Sequence, residues 1–365
     1  MSAPVRVWLN RTYSENVFFI DQLRAAPRPV EIHATHTDPD SPVLAAADFG
    51  SLEPDRLSPE AYVEFALEFC ARRGIDVFVP RLGQLALAVR RHEFEAIGTA
   101  LVCPSAAAIA VFESKTDGYA AMDTLGLPTP LWRHVRTADE LLAAVEDIEA
   151  DGGRPCLKPA TGAGGEGFRI LTREPFGLRR LTGFPDATVQ LDQVVAALAA
   201  VGSADLLVMP YLDGPEVSVD CLATPDGRLV TAVGRAKQGR RRHFTTDPAY
   251  LEPTRRLVEE FGVSYLSNVQ FRHHRGRPVL LDVNTRPSGG LHQLRLCGLN
   301  LPWAAVQLAL GEAPTTVQLP EPGLLGADYT LVSGVQPVLP RQSLLPRQAP
   351  APALEQAGAA VLGLV

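Results

Sequence analysis

The chain has 365 residues, 46% of them hydrophobic, and a formal net charge of −7. That length can bury a sizeable core divided over two or three domains, and the acidic balance argues against nucleic acid as an obligate partner. No window of about 18 apolar residues occurs, so no membrane span is expected, and the N-terminal MSAPVRVWLN lacks the basic-then-apolar pattern of a secretory leader.

Taken in order, residues 5–9 (VRVWL) read as a short apolar strand, 16–23 as the helix after it, and 29–34 as a second strand. Ser58 and Pro59 supply an N-cap and N1 pair, and Gly74 stops the helix that they open. A third strand follows at 75–80, then a further helix, then 100–103. Strand and helix alternate, which predicts a small α/β domain with a parallel sheet over residues 1–104. No glycine fingerprint follows its first strand, so it is not read as a dinucleotide site. The five cysteines are scattered without a C-x-x-C pair, which predicts buried free thiols in a reducing cytoplasm.

From residue 105 the character changes. Residues 112–125 read as one helix with Lys115 in its first turn, and Thr137 with Glu140 forms a capping-box pattern opening another. A strand at 154–159 carries Lys158 and is followed by TGAGGEG, with four glycines between Gly162 and Gly167. Gly162, Gly164 and Gly167 satisfy G-x-G-x-x-G, but a dinucleotide fingerprint must open a helix. Here residues 168–171 (FRIL) read as a strand. Strand, glycine loop and strand describe a hairpin flap whose backbone N–H groups can approach phosphates. The G-x-x-x-x-G-K-[ST] pattern of P-loop enzymes does not occur in this loop.

Residues 189–201 read as an amphipathic helix, 206–211 as a buried strand, and 216–221 as an alternating strand with Glu216, Ser218 and Asp220 on one face. Another strand at 228–234 runs into Arg235, Lys237, Arg240, Arg241 and Arg242, which are read as a solvated loop or, beside a phosphate flap, as a clamp. Residues 267–286 form a hairpin about Gly276. With that centre, Gln270 faces Asp282 and Asn268 faces Asn284, all four on one face, opposite Val269, Phe271, Leu281 and Val283. Taken alone, this face reads either as the solvated side of an ordinary hairpin or, with one carboxylate among carboxamides, as an oxygen set of the kind that suits a hard divalent cation. Residues 301–310 read as a helix, strands are expected within 326–338, and the Pro-rich 340–352 reads as a linker or mobile tail.

These motifs, in this order, resemble the ATP-grasp superfamily of carboxylate–amine ligases, most closely the branch with biotin carboxylase and the carbamoyl-phosphate synthase large subunit. The resemblance covers residues 105–312 and implies α/β and α+β architecture. A pre-ATP-grasp domain at 1–104 precedes two α+β subdomains at 105–208 and 209–312, and an extension fills 313–365. It also implies ATP as substrate, with Lys115, Lys158, the flap glycines Gly162, Gly164, Gly165 and Gly167, the adenine-reading segment Met209, Tyr211 and Leu212, and the ribose acid Glu216. Gln270, Asp282 and Asn284 match the ligands of Mg²⁺, with Mn²⁺ as an alternative ion. Arg286 and Lys237 match catalytic contacts to the transferring phosphoryl group.

Gln270 stands where many relatives have Glu, Asp282 is shorter than the usual Glu, and the flap carries Glu166. The expectation is a cytoplasmic ligase that forms ADP through an acyl phosphate, acting on small carboxylates and amines, without nucleic acid or membrane partners, as a homodimer by default. A non-catalytic ATP-binding module and a small-molecule kinase remain as alternatives. The substrates themselves are beyond these motifs.

Overall fold

The computed structural model describes residues 3–162, 165–315, 317–318 and 328–330. The chain divides into two compact units, one built on residues up to Val102 with Ala309–Ala313, the other on Cys103–Leu308 with the described residues between Pro314 and Ser333.

The first unit holds strands β1 (Val5–Leu9), β2 (Val30–His36), β3 (Phe49–Leu52), β4 (Val77–Val79) and β5 (Ala100–Leu101) in the order β3-β2-β1-β4-β5. All neighbours are parallel. Helices return the chain between strands, as the alternation predicts. The helix Pro59–Arg73 begins where Ser58 Oγ accepts from Ala61 N and ends at Gly74, whose φ of 58° is left-handed. The strand β3 was not anticipated, because FGSL carries no clear alternation. Trp8 anchors this core: fully buried, it stacks on Phe78 at 3.9 Å and donates Nε1 to Thr35 Oγ1.

The second unit contains two sheets. One comprises β6 (Arg133–Val135), β7 (Pro155–Pro159), β8 (Arg169–Thr172), β9 (Thr188–Gln190) and β10 (Leu206–Pro210), ordered β6-β10-β7-β8-β9. The helices Ala138–Ala150 and Leu191–Val201 pack on it through Leu141, Val145, Ile148, Leu191 and Leu198. The capping box of Thr137 and Glu140 is complete.

The other sheet comprises β11 (Glu216–Ala223), β12 (Leu229–Gln238), β13 (Arg241–Thr245), β14 (Tyr265–His274), β15 (Arg277–Asn284) and β16 (Asp328–Thr330), in the order β15-β14-β11-β12-β13-β16. All its pairs are antiparallel. Val217, Val219, Cys221, Val269 and Phe271 form its buried apolar face and share one core with Leu257 and Val258 of the helix Pro248–Glu260. Leu257 and Val258 are both fully buried, and each contributes roughly 1.5–3 kcal/mol.

Three local readings need correction. Residues 112–125 do not form one helix: Ala106–Glu113 and Lys115–Thr124 are separate, broken at Ser114, whose side chain caps the second by accepting from Asp117 N. The basic run from Arg235 is not a loop, because β12 extends to Gln238 and β13 starts at Arg241. The hairpin register slips between Gln270 and Phe271, so Phe271 pairs with Leu280. The expected 340–352 tail lies outside the described residues, and of the 326–338 segment only β16 is described. All five cysteines are free and buried, as expected. Among the described residues, no helix is long and apolar enough to cross a membrane.

Candidate functional site

The polar face of the six-stranded sheet can be read row by row, because residues directly opposite in a ladder point the same way. One row is Arg242, Lys237, Glu216 and Arg272. The next is Arg235, Ser218, Gln270 and Asp282, and beyond it lie Asp220, Asn268 and Asn284. The facing of Gln270 with Asp282, and of Asn268 with Asn284, agrees with the hairpin expectation at this end of the ladder.

The break at Ser114 makes Lys115 the first residue of its helix, and Lys115 N donates to Ala160 O at 2.7 Å. The Lys115 ammonium donates to Gly162 O at 2.5 Å, at the start of the glycine loop. Lys158 projects from β7 and donates to Leu281 O at 3.2 Å, with its ammonium 5.6 Å from the Tyr119 ring centroid. Leu281 is the extra residue at the register slip. Instead of joining Val269 and Phe271 deep in the core it is partly buried, and its carbonyl accepts from both Lys158 and Tyr119 OH. Burial lowers both lysines below their ordinary 10.5, Asp282 opposes the shift at each, and Lys115 adds to it at Lys158. Burial, then Asp282, pushes the Tyr119 phenol well up. Lys115, Lys158 and Asp282 therefore form one electrostatically coupled group beside the glycine loop.

That loop joins the antiparallel strands β7 and β8, so no helix follows it. Gly162, Gly165 and Gly167 have φ of 103°, 77° and 68°, a region that L side chains disfavour. A Cβ at Gly167 would also lie 2.6 Å from Pro159. Gly164 lies outside the described residues. Glu166 is exposed.

The other candidates join this group through shared partners: Tyr119 links Met209 to Leu281, and Arg272 links Leu212 to Glu216. Glu216 Oε1 accepts from Lys237 Nζ at 2.6 Å, and Oε2 lies 3.8 Å from Arg272. Burial would raise the Glu216 carboxyl, but Lys237, Arg272 and Arg235 outweigh it and hold it below the ordinary range. Met209 is buried and its sulfur accepts from Tyr119 OH at 3.7 Å. Tyr211 N donates to Arg154 O, and Leu212 O accepts from Arg272 at 2.5 Å, so both backbone groups are engaged. Arg286 is partly buried in the turn after β15.

The sequence reading missed a second cluster on the same face. Asp220 is fully buried, and its Oδ2 accepts from Arg235 Nε and Nη2 at 3.2 and 3.1 Å. Its Oδ1 accepts from Ser288 Oγ at 2.6 Å and Asn268 Nδ2 at 2.9 Å. Arg235 is 1% exposed and also donates to Ser288 Oγ at 3.0 Å. Its guanidinium lies so close to Gly290 that a Cβ there would meet Cζ at 2.5 Å. The available signal was the alternation of Glu216, Ser218 and Asp220 with the Ser-Gly-Gly after Pro287; nothing local joined them.

Gln270, Asp282 and Asn284 offer oxygen only, with one carboxylate, and all three are partly buried. Asn268 donates both to Val219 O and to Asp220, which fixes its amide and leaves Oδ1 a buried acceptor without a hydrogen bond among the described residues. Among those residues no group of three or more His, Cys, Asp or Glu is arranged to hold a metal. An all-protein cage is thus not provided, but the set fits a Mg²⁺ that keeps waters and phosphate oxygens.

A family model described as "ATP-grasp in the biosynthetic pathway with Ter operon" matches residues 202–329. The carbamoyl phosphate synthase large chain of Deinococcus radiodurans is 26% identical over 230 residues, covering 59% of this chain and 21% of that protein, so the chain spans about a fifth of that relative's length. Among solved structures, N5-carboxyaminoimidazole synthetase from Staphylococcus aureus complexed with ADP superposes with a TM-score of 0.64 at 12% identity, covering 87% of this chain and 81% of that one. A biotin carboxylase domain of 2-oxoglutarate carboxylase from Hydrogenobacter thermophilus, in complex with MgADP and bicarbonate, gives 0.61 at 18% identity, covering 86% and 71%. An L-amino acid ligase from Bacillus licheniformis gives 0.59 at 14%, covering 85% and 75%. Sheet topology and these matches agree: the chain has the ATP-grasp fold and resembles that superfamily.

Proposed function

We propose that the chain is an ATP-dependent, ADP-forming ligase that activates a small carboxylate as an acyl phosphate for attack by an amine or similar nucleophile. The observation that carries this reading is the action of Asp282 on Lys115 and Lys158, with the Lys115 ammonium donating to Gly162 O of a glycine loop whose Gly162, Gly165 and Gly167 take left-handed φ, a backbone form suited to approaching phosphate. The two lysines, held by Gly162 O and Leu281 O, place positive charge where the triphosphate lies and offset the charge that develops on transfer. Glu216 is kept ionised by its cationic neighbours and accepts from the ribose hydroxyls. Met209, Tyr211 and Leu212 line the adenine, with recognition resting on atoms other than Tyr211 N and Leu212 O.

Asp282 would hold Mg²⁺ together with Gln270 and Asn284, and the ion supplies charge neutralisation between phosphates. Arg286 and Lys237 stabilise the transferring group, Lys237 after exchanging part of its contact with Glu216. The flap around residues 162–167 excludes water from the acyl phosphate. The domain limits at residues 104, 208 and 312, a cytoplasmic location and a homodimer belong to the same proposal.

The test is ADP release from ATP and Mg²⁺ in the presence of amino acids and small carboxylic acids, supplied singly and in pairs. ADP formed only when an acid and an amine are both present establishes the ligase and its substrate class. A stable phosphorylated product without ligation would replace this reading with a kinase.

A further inference from the structure

We propose that Asp220 and Arg235 are positioning residues that pin the loop carrying Arg286 at both of its ends, and so govern turnover rather than nucleotide affinity. The inference rests on the ligase reading above. Arg235 belongs to the basic run that invites a phosphate-clamp interpretation, yet its side chain is 2% exposed and its fork is spent on Asp220 and Ser288. It has no free face for a substrate.

The geometry shows what it does instead. Asn284 closes β15 and pairs with Asn268, whose amide donates to Asp220 Oδ1. Ser288 Oγ donates to the same oxygen. Residues 284 and 288 are therefore tied, one through the ladder and one directly, to a single buried carboxylate. Thr285, Arg286 and Pro287 span the gap between those two ties. Arg235 neutralises that carboxylate and packs its guanidinium flat against Gly290, where any side chain would collide with it. Ser288 and Gly290 thus act as matched parts: one offers a hydroxyl, the other leaves room. A loop pinned at both ends holds its middle residue in place before substrate arrives, the condition under which a charged group stabilises a transition state without reorganising. Nucleotide binding depends on other groups, Lys115, Lys158 and Glu216, and should be spared.

Arg235→Ala would strand a buried carboxylate and endanger folding, so the test uses Ser288. The full chain, Ser288→Ala and Ser288→Thr are compared by amide hydrogen exchange across residues 285–290, by calorimetric binding of MgADP, and by steady-state ADP release. In Ser288→Ala, exchange in that segment should rise roughly tenfold through local opening. Its MgADP affinity should stay within about twofold, and kcat should fall on the order of 10²-fold with KM for ATP nearly unchanged. Ser288→Thr, which restores the hydroxyl, should recover both exchange protection and kcat. Unchanged exchange in Ser288→Ala, a loss confined to KM, or no recovery by Thr overturns the proposal. A wild-type chain that binds no MgADP counts against the ligase reading instead, and the exchange comparison, which needs no nucleotide, still decides whether the loop is pinned.

Discussion

Two aspartates stand on the same face of the six-stranded sheet in opposite surroundings. Asp220 is fully buried and accepts four hydrogen bonds, two from Arg235 and one each from Ser288 and Asn268. Asp282 is partly exposed, its carboxylate accepts from its neighbour Val283 N at 3.1 Å, and its charge acts on two desolvated lysines. A buried carboxylate with every lone pair engaged is an architectural part, since its desolvation has already been offset by fixed partners. A carboxylate left open beside lysines of depressed pKa keeps its capacity for a ligand. The difference separates the scaffold of this site from its chemistry more sharply than residue type does.

Substitutions can break the comparison. Asp282→Asn should reduce ADP-forming turnover on the order of 10³-fold while the thermal midpoint stays near that of the parent. Normal turnover in that variant would remove Asp282 from the proposed ion site. Asp220→Ala should act on the fold first, costing about 3–5 kcal/mol in urea unfolding because Arg235 is left charged and buried, with turnover falling as the Arg286 loop loses its tie. A midpoint unchanged by that substitution would mean that Asp220 is not the structural member of the pair.

The smallest effect concerns Glu216, which lies between the two extremes. Its folded-state carboxyl sits below the ordinary 4.5, so its ion pair contributes stability that is fully present above 4.5 and is lost as pH falls through the lower folded value. In Glu216→Gln the acid limb of the stability profile should flatten in that window, measured by denaturant midpoints at successive pH. An acid limb identical to that of the parent would show that Lys237 and Arg272 do not stabilise the ionised form.

Much of this arrangement was legible because its signals are local. The caps at Ser58 and Thr137, the glycine loop between two strands, and the opposition of Gln270 to Asp282 all follow from residues within one or two turns or one hairpin. What escaped depends on distant partners. Arg235 looks solvent-facing in a run of basic residues, and only Asp220 across the ladder and Ser288, far along the chain, bury it. The helix break at Ser114 did leave a local signal that the helical reading overrode: Thr116, Asp117 and Gly118 just after it are weak helix formers, and the serine before them is an N-cap type, as its cap to Asp117 N shows. The register slip escaped for a different reason. Apolar residues flank it on both strands, so the hydrophobic pattern tolerates either pairing of Phe271.

That slip also has an evolutionary meaning. A strand displaced by one residue turns every side chain to the opposite face, so Asp282 would be driven into the apolar core by any uncompensated change nearer the hairpin tip. Because the extra residue at Leu281 is tethered through its carbonyl to Lys158 and Tyr119, the ladder is locked on the far side of the tip. The two-residue turn at Arg275 and Gly276, with φ of 51° and 77°, can then gain, lose or exchange residues over generations while the carboxylate keeps its address.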